Sequence, residues 1–256
     1  SGLASAVGFA AAARRERGLL DPEPAPGESI FDHTVYVIAS DGDIEEGVTS
    51  EASSWAGHQE LGNLVVIYDA NHISIEDDTD VALSEDTAKR YEAYGWHVQT
   101  IDWRRPDGGY EEDVPGLYDA LVAAREERSR PSIIVLNTII AWPAPNARNT
   151  GKSHGSALGA DEVRATKELL GFDPEQTFEV SPEVIEHTRG GRRERGAALR
   201  ADWEKAYLDW RDANPERAEL HERLKRRELP EGWTARLPEF PAGKALATRA
   251  ASGKVL

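Results

Sequence analysis

The sequence contains no cysteine. That excludes disulfides, thiolate metal sites and a cysteine nucleophile. Methionine is also missing, even at position 1, so the chain is expected to be part of a longer polypeptide. Basic residues are scarce beside acidic ones: 30 Lys plus Arg against 46 Asp plus Glu, a formal net charge of −16. Such a chain is a poor partner for nucleic acid or an anionic membrane, both of which are bound through clustered Lys and Arg. No apolar run approaches the roughly 20 residues of a membrane-spanning helix, and no signal-peptide pattern opens the chain. Nothing points outside the cytoplasm, which is the expected compartment. What is present suffices for a core. Hydrophobic residues make up 39% of 256, which excludes wholesale disorder and bounds the chain to one large or two modest domains.

Helix and strand signals alternate along the first 140 residues. Leu3, Val7 and Ala10 recur at helical spacing in an alanine-rich segment ending near Gly18, and its small side chains predict close packing. The run Asp21-Pro22-Glu23-Pro24-Ala25-Pro26-Gly27 forces a loop. Thr34–Ala39 is almost continuously apolar, as in a strand covered on both faces. A helix is expected over about Glu46 to Glu60, with Val48, Ala52 and Trp55 on one face. Leu64–Tyr68, His97–Ile101 and Ser132–Leu136 read as further strands, separated by helices near 87–94 and 117–127. This alternation predicts an α/β fold, a parallel sheet with helices on both faces. Residues 142–159 form a long Pro- and Gly-containing loop, of the kind that is often functional. From Asp161 the chain reads as helical and charged, with Leu199, Trp203, Tyr207 and Trp210 as one buried stripe and Leu220 and Leu224 continuing the packing. Pro230, Pro238 and Pro241 then make a linker before a last helical segment. The expected division is 1–160 for the α/β domain, 161–229 for a helical extension of it, and 230–256 for the linker and the last helical segment.

In a parallel sheet, ligands bind beyond the carboxyl ends of the strands. Two loops qualify: Ser40-Asp41-Gly42-Asp43 and Asp69-Ala70-Asn71-His72-Ile73. A carboxylate and an amide oxygen from adjacent loops suit a hard cation such as Mg²⁺. Gly42 lets a bulky group approach the backbone, and a helix start after it favours an anion. Each feature also has a plain structural reading: Asp-Gly as a turn, Glu45 or Glu46 as a helix-dipole partner, Asn71 as a turn residue.

Thirty residues separate Asp41 from Asn71. That spacing resembles the thiamine diphosphate signature, with Ser40 in place of its first glycine. Longer stretches resemble the transketolase family: Ser40-Asp41-Gly42-Asp43-Ile44-Glu45-Glu46-Gly47-Val48-Thr49-Ser50-Glu51-Ala52, Asn71-His72-Ile73-Ser74-Ile75, the run from Asp86 to His97, and Gly151-Lys152-Ser153-His154-Gly155-Ser156-Ala157-Leu158-Gly159. The resemblance implies the thiamine diphosphate-binding fold and transfer of a two-carbon ketol unit between sugar phosphates. It implies thiamine diphosphate and Mg²⁺ as cofactors, with Ca²⁺ or another divalent ion able to replace Mg²⁺. By the same resemblance, Asp41 and Asn71 are side-chain metal ligands and Ile73 gives its backbone carbonyl. Gly42 and Asn71 contact the diphosphate, and Ile75 packs against the thiazolium ring. Glu46 belongs to an acidic network joining the two cofactor sites of a homodimer. His154 touches both the diphosphate and the donor sugar. His72 stands where the family usually has glycine. The remaining histidines, His33, His58, His97, His187 and His221, read as packing or surface residues.

The family has three domains, and the resemblance covers most of the first. Ser1–Ala4 matches the stretch just after a glycine-rich diphosphate loop, and Ala247–Gly253 the opening of the pyrimidine-binding domain, so that domain starts within 230–256. The piece alone is therefore expected to be inactive. The alternatives are a deoxyxylulose phosphate synthase or a pyruvate dehydrogenase component, which share the metal signature, and a haloacid-dehalogenase-like phosphotransferase with Asp41 as nucleophile.

Overall fold

The computed structural model describes residues 1–75 and 77–256. They fall into two units, Ser1–Trp203 and Glu204–Leu256. The first unit opens with α1 (Gly2–Leu20), then β1 (Val35–Ser40), α2 (Asp41–Glu45), α3 (Gly47–His58) and β2 (Leu64–Ala70). It continues through α4 (Thr87–Ala93), β3 (His97–Asp102), α5 (Val114–Glu126), β4 (Ser132–Asn137) and α6 (Ala160–Leu170). Helix α7 (Pro182–Ala213) begins in this unit, and its last turns belong to the second.

All four strands are parallel, in the order β1-β2-β4-β3. The chain steps one way across the sheet from β1 to β2 to β3, then reverses into β4. Right-handed crossovers therefore put α3 and α4 on one face and α5 on the other. The core follows this division. Leu64, Val66, Tyr68 and Ala70 of β2 join Leu3, Val7 and Ala10 of α1 and Tyr91 of α4 in one cluster. Val65, one residue out of phase, joins Ala120 and Ala124 of α5 and Ile134 of β4 in the other. The expected parallel sheet with helices on both faces is thus the fold.

Three local expectations are corrected. The first strand is not covered on both faces: Tyr36 and Ile38 are exposed, Ile38 to 76%. β1 is an edge strand, and α5 packs on β3 and β4. In α3 the buried side chains are Thr49, Ser53 and Ala56, while Val48 and Trp55 are exposed. The bulk comes from the other side of that contact. Trp96 and Tyr91 are buried in an edge-to-face pair with ring centres 5.0 Å apart. The Trp96 indole N–H donates to the Ser53 carbonyl at 2.9 Å, and the Tyr91 and Ser53 hydroxyls lie 3.1 Å apart. Only small residues of α3 fit against that pair. Third, the expected buried stripe on α7 is largely open: Leu199 and Trp203 are exposed and of its four positions only Trp210 is buried, while Leu224, in the helix that follows, is exposed as well.

The second unit contains α8 (Pro215–Arg226) and α9 (Thr248–Val255). There Tyr207 stacks on Trp210 at 5.7 Å, and its hydroxyl lies 3.0 Å from His221 Nδ1 and 3.2 Å from Glu222. Polar and aromatic contacts, more than aliphatic burial, mark this helix pair. Among the described residues no helix is long and apolar enough to cross a membrane.

Candidate metal and diphosphate site

The register of the sheet brings the two candidate loops together. Ser40 pairs with Asp69 at the ends of β1 and β2, so Asp41 emerges beside the loop that carries Asn71. Sequence reading allowed a simple turn at Asp41. The structure makes it the first residue of the short helix α2, stabilised by the Asp43 carboxylate accepting from the Ser40 N–H and hydroxyl, each at 3.0 Å.

Asp41 is 2% exposed. Its Oδ1 accepts from the Tyr68 hydroxyl at 2.7 Å, and its Oδ2 from the backbone N–H groups of Asn71 and His72, each at 3.1 Å. Burial nevertheless pushes the Asp41 carboxyl above its ordinary range, against the lowering effect of these donors. The desolvated Tyr68 phenol is pushed up too, with Asp41 adding to the effect. Glu45, one turn on, is raised by burial and by the Asp41 charge, and its Oε1 is buried without a hydrogen-bond partner. A negative charge held in such surroundings is poised for a cation.

Asn71 is buried, and its orientation is fixed from both sides. Its Nδ2 donates to Asp69 Oδ2 at 3.1 Å, and its Oδ1 accepts from the Ile73 N–H at 3.0 Å. Asp69 also accepts from the Thr138 hydroxyl. Arg104 ties this edge together, donating to the carbonyls of Thr138 at 2.6 Å and Asn71 at 2.7 Å. His72 has φ +63°, a left-handed conformation that side chains rarely adopt and glycine adopts freely. That is the physical reason a glycine suits this position, and the backbone N–H of His72 is what Asp41 receives.

Tyr68, Asp69, Arg104 and Thr138 had no role in the sequence reading. Asp69 lay inside a loop already singled out, directly at a strand end. Arg104 and Thr138 follow the ends of β3 and β4, and the same strand-end rule could have found them once the strand order was known.

The other predicted residues scatter more. Ile73 is buried, whereas Ile75 is 73% exposed. Gly42 is exposed, and a Cβ there would meet nothing within 4 Å, so its backbone is open to an approaching group. Glu46 precedes α3 as its N-cap residue. His154 is exposed in a 3-10 turn, Gly151–His154, outside the hydrogen-bonded group around Asp41. Its loop is anchored by a residue that sequence reading missed. Buried Glu162, in the first turn of α6, accepts from the N–H groups of Asn146 and Ala147 at 2.7 Å and from Asn146 Nδ2 at 2.9 Å. Those bonds, the Asn146 amide first, hold the Glu162 carboxyl below its usual range. Among the described residues no group of three or more His, Asp or Glu side chains could hold a metal by itself. The oxygen donors here fit a hard cation whose shell is completed by a ligand's own oxygens.

The chain matches the model of the family "Transketolase, thiamine diphosphate binding domain" over residues 1–230. It belongs to that family. The transketolase of Mycobacterium tuberculosis is 57% identical over 256 residues, the whole of this chain and 35% of that relative. The transketolase of Geobacillus stearothermophilus is 41% identical over 255 residues, all of this chain and 37% of that one. Among solved structures, the Pichia stipitis transketolase complex with sedoheptulose 7-phosphate superposes with a TM-score of 0.85 at 35% identity, covering 99% of this chain and 36% of that one. Transketolase from Leishmania mexicana gives 0.82 at 35% identity, covering 94% and 34%. The chain therefore spans about a third of the length of these transketolases. Family membership sets aside the phosphotransferase alternative.

Proposed function

We propose that this chain is the diphosphate- and metal-holding part of a transketolase that moves a two-carbon ketol unit from a ketose phosphate, such as xylulose 5-phosphate, to an aldose phosphate. One observation carries the reading: a buried carboxylate, Asp41, bonded to the backbone of the Asn71 loop across the ends of two adjacent parallel strands. Asp41 and Asn71 would give oxygen ligands to Mg²⁺, with the Ile73 carbonyl as a third protein oxygen. The open backbone at Gly42 and the Asn71 amide would meet the diphosphate. Bound thiamine diphosphate would supply the uptake and release of the two-carbon unit, chemistry that belongs to the cofactor.

This chain's residues position and exclude. Asp69 fixes the face that the Asn71 amide shows to the metal. Ile75, exposed in this chain, offers apolar surface to the thiazolium ring. Glu46 would join an acidic network across a homodimer, in which a second domain of the partner completes each site. The division at 160 and 229, with the opening of that second domain from 230, belongs to the same proposal. His154, on a loop pinned by Glu162, would donate a hydrogen bond to the diphosphate or to the donor sugar. The Pichia complex with sedoheptulose 7-phosphate supports a sugar phosphate as substrate. The test is His154→Ala in the complete enzyme. Ketol transfer from xylulose 5-phosphate is expected to fall by about 10²-fold or more, with the fold unchanged by circular dichroism. Turnover equal to the parent's would remove His154 from the site.

A further inference from the structure

At the end of the sheet opposite Asp41 and Asn71, by the amino ends of β1 and β2, lies a cavity of about 400 Å³. Its walls carry four arginines: Arg14 and Arg17 from α1, Arg125 from the last turn of α5, and Arg128 just beyond it. Only two carboxylates face it, Asp32 and Glu60. Asp32 is already engaged, accepting from the N–H groups of Gly27 at 2.7 Å and Ser29 at 3.1 Å and pairing with Arg17 at 3.3 Å. Arg14 donates to the carbonyls of Gln59 and Glu60. Arg125 and Arg128 are paired with no carboxylate among the described residues.

Helix C-termini favour a nearby cation, and α1 and α5 both end here, which accounts for a basic residue in each last turn. Four guanidinium groups around one cavity exceed that need, in a chain whose acidic residues outnumber its basic ones by 16. Like charges gathered at one place are unfavourable unless an anion joins them. The backbone makes room for this arrangement. Gly27 has φ +91°, and a Cβ there would lie 2.5 Å from Cζ of Arg128.

We propose that this cavity binds a phosphorylated small molecule of nucleotide size, at a site separate from the thiamine diphosphate site. Guanidinium forks match phosphate oxygens in bidentate geometry. The volume is in the range of small-ligand pockets, and Phe31 and Ala13 give an apolar wall for a ring.

The test titrates ATP into the protein by calorimetry in EDTA, without divalent cations, so that a metal-dependent diphosphate site is silent. Adenosine is the uncharged comparison. ATP is expected to bind, more weakly as salt is added, and adenosine not to bind. The double variant Arg125→Ala/Arg128→Ala, at two exposed positions, is expected to weaken ATP by about tenfold or more. Asp41→Ala is expected to bind ATP as the parent does. Absence of ATP binding at millimolar concentration, equal affinity in the double variant, or loss of binding in Asp41→Ala would each overturn the proposal.

Discussion

Asn71 can present its oxygen in one direction because Asp69 accepts a hydrogen bond from its amide nitrogen on the other side. Removing Asp69 leaves Asn71 chemically intact and frees it to rotate. Groups that orient a metal ligand are worth about 10- to 100-fold in metal affinity. Asp69→Ala is therefore expected to weaken Mg²⁺-dependent thiamine diphosphate binding by about tenfold or more while the far-ultraviolet circular dichroism stays that of the parent. Unchanged binding would make Asp69 a local structural residue. Asp41 and Asn71 were legible in the sequence because each follows an apolar run at a position where strands end. Their partners were not. Tyr68 lies 27 residues from Asp41, and Thr138 lies 69 from Asp69. Contacts of that separation depend on strand order and register, which periodicity along the chain does not contain. His72 was legible only as a departure from glycine; its φ gives the departure a physical meaning.

Helix α3 shows what periodicity misses at the scale of an element. The apolar residues Val48 and Trp55 marked one face in the sequence, yet the face with Thr49, Ser53 and Ala56 is buried. A helix buries what its neighbours leave space for, and here Trp96 and Tyr91 leave little. Gly57 is the tightest point: a Cβ would fall 1.9 Å from the Tyr94 carbonyl oxygen and 3.2 Å from the Trp96 ring. Gly57→Ala is accordingly expected to destabilise the fold by about 1–3 kcal/mol, measured by urea unfolding. A stability equal to the parent's would mean that α3 and the Tyr94 turn are not in close contact.

The connection from α5 to β4 makes a pH-dependent prediction. Glu127 accepts from the Ser129 hydroxyl at 2.5 Å, the Ser129 N–H at 2.8 Å and Arg130 at 3.2 Å. The Ser129 hydroxyl first, then its N–H, lowers the Glu127 pKa from 4.5 to about 2. Unfolding returns it to the higher value, so its contribution is full above about 4.5 and fades as pH falls toward about 2. Relative to Glu127→Gln, the parent is expected to be more stable at neutral pH, with the difference closing across that window. A difference independent of pH would contradict the assignment.

For the whole molecule, the parallel sheet was legible because β-branched runs alternating with helices leave few other solutions. The strand order and the exposed face of β1 were not, since both depend on which strand becomes the edge. The acidity of the chain proved a poor guide to local chemistry: an arginine-lined cavity sits at one end of the sheet and a buried carboxylate at the other. That carboxylate, as a metal ligand for a diphosphate, is central to the proposed function. Calorimetry of thiamine diphosphate binding to the complete enzyme, with Mg²⁺ and with EDTA, for the parent and for Asp41→Ala, tests it most directly. The parent is expected to bind only with Mg²⁺, and Asp41→Ala to show no Mg²⁺-dependent binding. Binding by the parent in EDTA as strong as with Mg²⁺, or Asp41→Ala binding like the parent, would contradict it.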